Sequence, residues 1–291
     1  MTPPPVPDGL PHEIHGIDLM ADELHASILG DTLTVTIDRP EKRNAITSDG
    51  YHGIKRAAMI VADEPRLQFL VITGTGDAFC AGGDMGRSAP SRRWDMFTES
   101  ADGVPFETLG RIPKIVVCKI NGIAMGGGMV MSMYADLVIA SDEARIRIPD
   151  LTRGVYEAFI AARLPQRVGT LRANHLMYES EWLTPQQALE IGLVGRVVPH
   201  ADLDAETEAM IERVRKTGPV ARALMKRQMW QSLPPVDVGG YWERIGTPET
   251  AEAWTAFLDK RDPQWPGTDD PPNPLKRSRR ATWMPTTDDT Q

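Results

Sequence analysis

"INGIAMGGGMVM", residues 120–131, joins an apolar run, "KIVVCKI" (114–120), to a second apolar stretch through four glycines. The run reads as a buried strand, and the residues after the glycines read as a helix reaching about Tyr134. A strand that ends in glycines ahead of a helix lets bare backbone approach a ligand and aims unpaired N–H groups at one point. Anions or developing oxyanions bind at such a point. The arrangement occurs once more upstream, where "LQFLVITG" (67–74) runs into "TGDAFCAGGDM" (75–85). Neither turn adds the Lys and hydroxyl residue of a phosphate loop, and neither lies on a first strand with a later acid, as a dinucleotide fingerprint would. Tight helix–strand packing explains either turn alone; the pair points to a site built from backbone.

Strands and helices alternate around these turns. "HASILGDTLTVTIDRP" (25–40) reads as a hairpin about Gly30 and Asp31, and "AITSDGYHGIKRAAMIVADEP" (45–65) as a helix ended by Pro65. "DLVIAS" and "ARIRIP" follow as strands, and helices dominate from "AARLPQRVG" onward, with Thr184 as an N-cap. The order implies an α/β architecture with buried strands covered by helices. Expected boundaries are a Pro-rich leader over 1–22, a core over 23–200, a helical region over 201–265 and a tail over 266–291.

A chain of 291 residues with 41% hydrophobic content can bury one sizeable core. The net charge of −8 argues against general binding of nucleic acid, because a phosphate lattice would be repelled by the average surface. Its one basic run, "LKRSRR" (275–280), lies in the Pro- and Asp-rich tail and reads as solvated. Cys80 and Cys118 have no metal-type spacing and suit a reducing compartment. No apolar run approaches membrane-spanning length and the prolines of the N-terminus do not suit a signal peptide, so a cytoplasmic location is expected. The six histidines suggest neither a metal site nor a Ser-His-Asp grouping.

At this point the motifs resemble a family. "DRPEKRNAI" (38–46), "FCAGGDM" (79–85), "NGIAMGGG" (121–128), "ADLVIAS" (135–141) and "LTPQQALEIGLVGRVVP" (183–199) are similar, in order and spacing, to motifs of the crotonase, or enoyl-CoA hydratase/isomerase, superfamily. "AFLDKRDPQW" (256–265) resembles its C-terminal ending. The resemblance implies a spiral of ββα units, a C-terminal helical region used in trimerisation (a homotrimer or a dimer of trimers), and a coenzyme A thioester as substrate with no tightly bound cofactor. It also implies that the thioester carbonyl lies between the amides of Gly83 and Gly127, where removing one such donor costs about 3–4 kcal/mol in other enzymes. Lys42, Asn44, Ala45 and Ala81 would flank the coenzyme, with Tyr241 and Lys260 near its nucleotide end.

The chain departs from the hydratase pattern at one decisive place. Hydration calls for two carboxylates, and the first of the family's two glutamates is here Val130. The second falls on Asp150, shorter by one methylene, roughly 1.5 Å. Glu157, in "GVYEAFIAARLP" (154–165), lies near where some relatives of other activities carry an acid, although a solvated acid at a helix start explains it as well. Tyr156 is either a donor to an enolate or a packing residue; Trp94 and Phe97 either shape the acyl pocket or belong to an ordinary amphipathic helix. The surviving residues fit double-bond isomerisation by Asp150 better than two-carboxylate hydration. Standard hydration, thioester hydrolysis, C–C cleavage and a non-catalytic acyl-CoA binder remain alternatives.

Overall fold

The computed structural model describes residues 13–84, 105–244 and 247–266. Its strands form two sheets. The larger contains β1 (Glu13–His15), β2 (Leu24–Leu29), β3 (Thr32–Ile37), β4 (Phe69–Gly74), β6 (Ile115–Ile120), β8 (Leu137–Ser141) and β10 (Arg196–Val198), in the order β1-β2-β3-β4-β6-β8-β10. β1, β2 and β3 pair antiparallel, and from β3 to β10 every pairing is parallel. The smaller contains β5 (Ala78–Cys80), β7 (Ile123–Met125) and β9 (Arg145–Arg147), all parallel. The chain thus lays one strand in the large sheet, one in the small sheet, then a helix, and repeats: a spiral of ββα units.

The helices are α1 (Ser48–Asp63), α2 (Pro105–Arg111), α3 (Gly127–Tyr134), α4 (Ala158–Val168), α5 (Thr170–Glu179), α6 (Pro185–Glu190), α7 (Leu203–Arg215), α8 (Pro219–Gln231), α9 (Val238–Arg244) and α10 (Pro248–Leu258). Continuous apolar strands are explained by cover on both faces. In β4, Leu70 and Ile72 join the main core, whereas Phe69 and Val71 lie in a second cluster with Leu203, Met210 and Ile211 of α7. Thr184 caps α6 in a full capping box with Gln187, as the sequence suggested. The polar-apolar run after residue 203 is two helices, because Gly218 and Pro219 end one and start the next.

Within the stretch expected as a leader, Glu13–His15 pairs with β2, and Leu19 and Ala21 are buried. The helical region after 200 packs on the rest of the chain. α7 covers the large sheet, and Trp230 of α8 packs so closely on Gly110 that a Cβ there would meet its ring at 2.1 Å.

Candidate active site

Because β5, β7 and β9 are parallel, their carboxyl ends lie along one edge, the place where open α/β sheets present binding residues. Each end delivers one candidate: Cys80 leads to Gly82 and Gly83, Met125 to Gly126 and Gly127, and Arg147 to Asp150. The two glycine turns touch. Gly82 (φ +98°) and Gly126 (φ +51°) adopt backbone that L side chains avoid, and a Cβ on Gly126 would lie 3.4 Å from the Gly82 Cα.

The orientation of the two amides follows from pairing. Ile46 bridges Gly83 in parallel: its N–H donates to the Gly82 carbonyl at 2.9 Å, and the Asp84 N–H donates to the Ile46 carbonyl at 2.8 Å. The N–H of Gly83 itself therefore faces away from Ile46. Gly127 opens α3, so its N–H belongs to the first turn that a helix leaves unpaired. Among the described residues neither amide donates a hydrogen bond.

Asp150 stands at the start of a 3₁₀ turn, Asp150–Arg153, buried, with Oδ1 3.8 Å from where a Cβ on Gly126 would be. Among the described residues its Oδ2 has no hydrogen-bond partner. Glu157 caps α4 by accepting from the Phe159 N–H at 3.2 Å and is half-buried, not the solvated acid that its helix-start position allowed. Burial pushes the Asp150 carboxyl up to about 6. Burial, and then the Asp150 charge, holds Glu157 well above the usual carboxylate range. Both carboxyls are thus biased towards the protonated form. Val130 is fully buried in α3 and belongs to the main core.

Two phenols complete the cluster. The Tyr51 hydroxyl of α1 sits against Gly127, where a Cβ would meet it at 1.9 Å, and 3.8 Å from a Cβ on Gly83. Burial raises its pKa well above the ordinary value, with further contributions from Cys80, Tyr241, Glu157 and Asp150. Tyr241 is raised likewise by burial, then by Glu157 and Asp150. It packs edge-on against Phe159 at 5.3 Å, beside the acids. Tyr51 was missed in the sequence. Its signal was available, since it precedes Ile54 and Ala58 on the inward stripe of α1 and brings a polar tip to that stripe.

The remaining candidates are placed as follows. Residues 42–46 run beside 81–84, joined by the Ala81 N–H to the Arg43 carbonyl at 3.0 Å, with Lys42 exposed. Asn44 is fully buried, accepts from the Arg39 N–H and donates to the carbonyls of Thr75 and Ala78, so its side chain braces the turn. The Ala45 carbonyl is taken by Arg39 at 2.7 Å. Tyr156 is exposed and donates to Asp237 at 3.3 Å, outside the acid pair. Lys260 is exposed just past α10. Trp94 and Phe97 lie outside the described residues. Among the described residues no cluster of His, Cys, Asp and Glu could hold a metal ion, and no helix is long and apolar enough to cross a membrane.

Comparison with known proteins agrees with this fold. The model of the enoyl-CoA hydratase/isomerase family matches residues 30–268. A carnitinyl-CoA dehydratase of Proteus mirabilis is 30% identical over 261 residues, covering 85% of this chain and 100% of the relative. A crotonyl-CoA hydratase of Syntrophomonas wolfei is 30% identical over 235 residues, covering 77% and 90%. Among solved structures, an enoyl-CoA hydratase from Mycobacterium avium subsp. paratuberculosis superposes with a TM-score of 0.75 at 25% identity, over 84% of this chain and 99% of the other. A carnitinyl-CoA dehydratase from Mycobacterium avium superposes with 0.70 at 25% identity, over 85% and 100%. With the ββα spiral, the facing glycine turns and these matches together, the chain belongs to the enoyl-CoA hydratase/isomerase family of the crotonase superfamily and is an enzyme of that family.

Proposed function

We propose that the protein binds an acyl-CoA thioester with its carbonyl oxygen between the amides of Gly83 and Gly127 and moves a proton between carbons of the acyl group through the enolate. Proton removal next to a thioester carbonyl pushes charge onto that oxygen, and fixed backbone donors stabilise it without reorganising. Asp150, ionised near neutral pH, is the base. Glu157, which burial biases towards its protonated form, is the acid that returns a proton at a second carbon, and the proton taken up by Asp150 then passes to Glu157 to restore the pair, which makes the outcome isomerase-like. The observation that carries this reading is the buried Asp150, whose Oδ1 lies 3.8 Å from where a Cβ on Gly126 would be and whose Oδ2 has no hydrogen-bond partner among the described residues, with the half-buried Glu157 carboxyl interacting with it. Val130 supports it, because an apolar side chain there offers nothing to activate a water on that face.

Lys42, Ala45 and Ala81 lie along the path proposed for the coenzyme, with Lys260 a cation for its phosphates; these contacts are part of the proposal. A homotrimer or a dimer of trimers belongs to it too.

A second reading has its own support. Elimination of water needs an acid for the leaving hydroxyl and a base for the adjacent proton, and Glu157 with Asp150 supplies both; relatives named as dehydratase and hydratase point the same way. Mass spectrometry of CoA thioesters after turnover separates the readings. Isomerisation leaves the mass unchanged, hydration or dehydration shifts it by one water, and hydrolysis releases free CoA. With Glu157→Gln the isomerase reading expects a loss of about a hundredfold in kcat with thioester binding retained. Unchanged kcat would remove Glu157 from the mechanism, and a chain that binds thioesters without converting any is a binder.

A further inference from the structure

The Tyr51 hydroxyl is the polar group closest to the glycine turns that the reading above leaves unused. It makes no hydrogen bond among the described residues, and Phe106 holds its ring edge-on at 5.6 Å. A backbone nitrogen and the Cβ of its own residue are roughly 2.5 Å apart. With 1.9 Å from that Cβ position to the hydroxyl, the phenol oxygen lies at most roughly 4.4 Å from the Gly127 nitrogen. An acceptor hydrogen-bonded to Gly127 fits between two donors so spaced.

Resting on the thioester reading, we infer that Tyr51 is a catalytic residue: its phenol is a third donor, beside the Gly83 and Gly127 amides, to the thioester oxygen as it becomes an enolate. The phenol keeps its proton throughout. Burial and the neighbouring acids favour the neutral form, so it serves as a donor and not as a base. A neutral donor suits this place, since a cation would pair with Asp150 and compete with the substrate for it. The inference also gives Gly127 a second reason to lack a side chain. Its φ lies outside the left-handed region, so backbone strain does not demand glycine there; the space that a methyl would need is taken by the Tyr51 hydroxyl.

Two measurements test this. In the first, acetoacetyl-CoA, whose enolate has its own ultraviolet band, is bound to the wild-type protein and to Tyr51→Phe. The expected result is retained binding with the ratio of bound enolate to keto form lower by about ten- to a hundredfold in the variant, the worth of one hydrogen bond to a charged acceptor. An unchanged ratio overturns the Tyr51 assignment and leaves the two-amide reading standing, even if the variant melts earlier. Wild-type protein that binds acetoacetyl-CoA without forming enolate, or does not bind it, overturns the thioester reading and Tyr51 with it. The second measurement asks only where the hydroxyl is. Gly127→Ala is expected to lower Tm, and combining it with Tyr51→Phe to recover part of that loss by removing the clashing atom. Additive effects would mean that the hydroxyl is not at Gly127 and would overturn the inference.

Discussion

Two acids largely withdrawn from solvent, the partly buried Asp136 and the buried Asp150, are treated in opposite ways. Asp136, just past α3, accepts from the Val116 N–H at 2.8 Å and from Lys226 of α8 at 2.6 Å. Lys226 in turn donates to the carbonyls of Leu109 and Lys114, so the ammonium is surrounded by acceptors. Asp150 is buried, yet the charge it interacts with is a second carboxyl, and among the described residues it has no ion-pair partner and one of its oxygens is unpaired. Desolvation raises both acids; at Asp136 the lysine and its hydrogen bonds work against it. A buried charge with a full set of partners fastens α8 to the core, whereas a buried acid without them keeps a proton in play.

The contrast breaks first at the reaction. Asp150→Asn is expected to lower kcat by about 10² to 10⁴-fold while CoA thioesters still bind, measured by turnover beside calorimetry. Retained turnover would mean that Asp150 is only an uncomfortable acid. Next in size, Lys226→Met strands the Asp136 carboxylate and should cost about 3–5 kcal/mol in urea unfolding. Asp136→Asn combined with Lys226→Met should recover most of it, because the pair is then replaced as a unit.

A smaller effect lies in the pH dependence of stability. The Asp150 carboxyl titrates at about 6 in the folded chain and near 4 unfolded, so the folded state holds the extra proton between those values. Stability from this group is full below pH about 4 and is lost as pH rises through about 6, a decline of about 1–3 kcal/mol that Asp150→Asn should abolish. Denaturant midpoints across that window give the slope. Least of all, Thr184→Ala removes a cap remote from both acids, with an expected cost of about 0.5–2 kcal/mol and unchanged kcat.

The glycine turns, their strands and the two acids could be read from the chain because each rests on local chemistry: a run of buried residues, a residue without a side chain, a carboxyl beside a turn. The small sheet could not. Ala78–Cys80 and Ile123–Met125 are three residues each, too short for a period of two to show, and they pass for parts of turns. Asn44 drew attention through its motif, but in this chain its side chain braces Ala78, a contact visible only once β4 and β5 are side by side. Tyr241 is separated from Glu157 by more than eighty residues of sequence, and its nearness arises from α9 folding back on α4. Tyr51 is the instructive miss, since its helical position was legible while its target, the Gly127 turn, is fixed only by tertiary packing.

The small sheet has one more consequence. Gly83, Gly127 and Asp150 hang from three strands hydrogen-bonded side by side, so any sliding of that sheet moves them in common mode and preserves their spacing. Glu157 hangs from the cap of α4 instead, and registers the same slide as a differential displacement. Distant changes in core packing would thus detune the proton pair before they disturb the oxygen's donors.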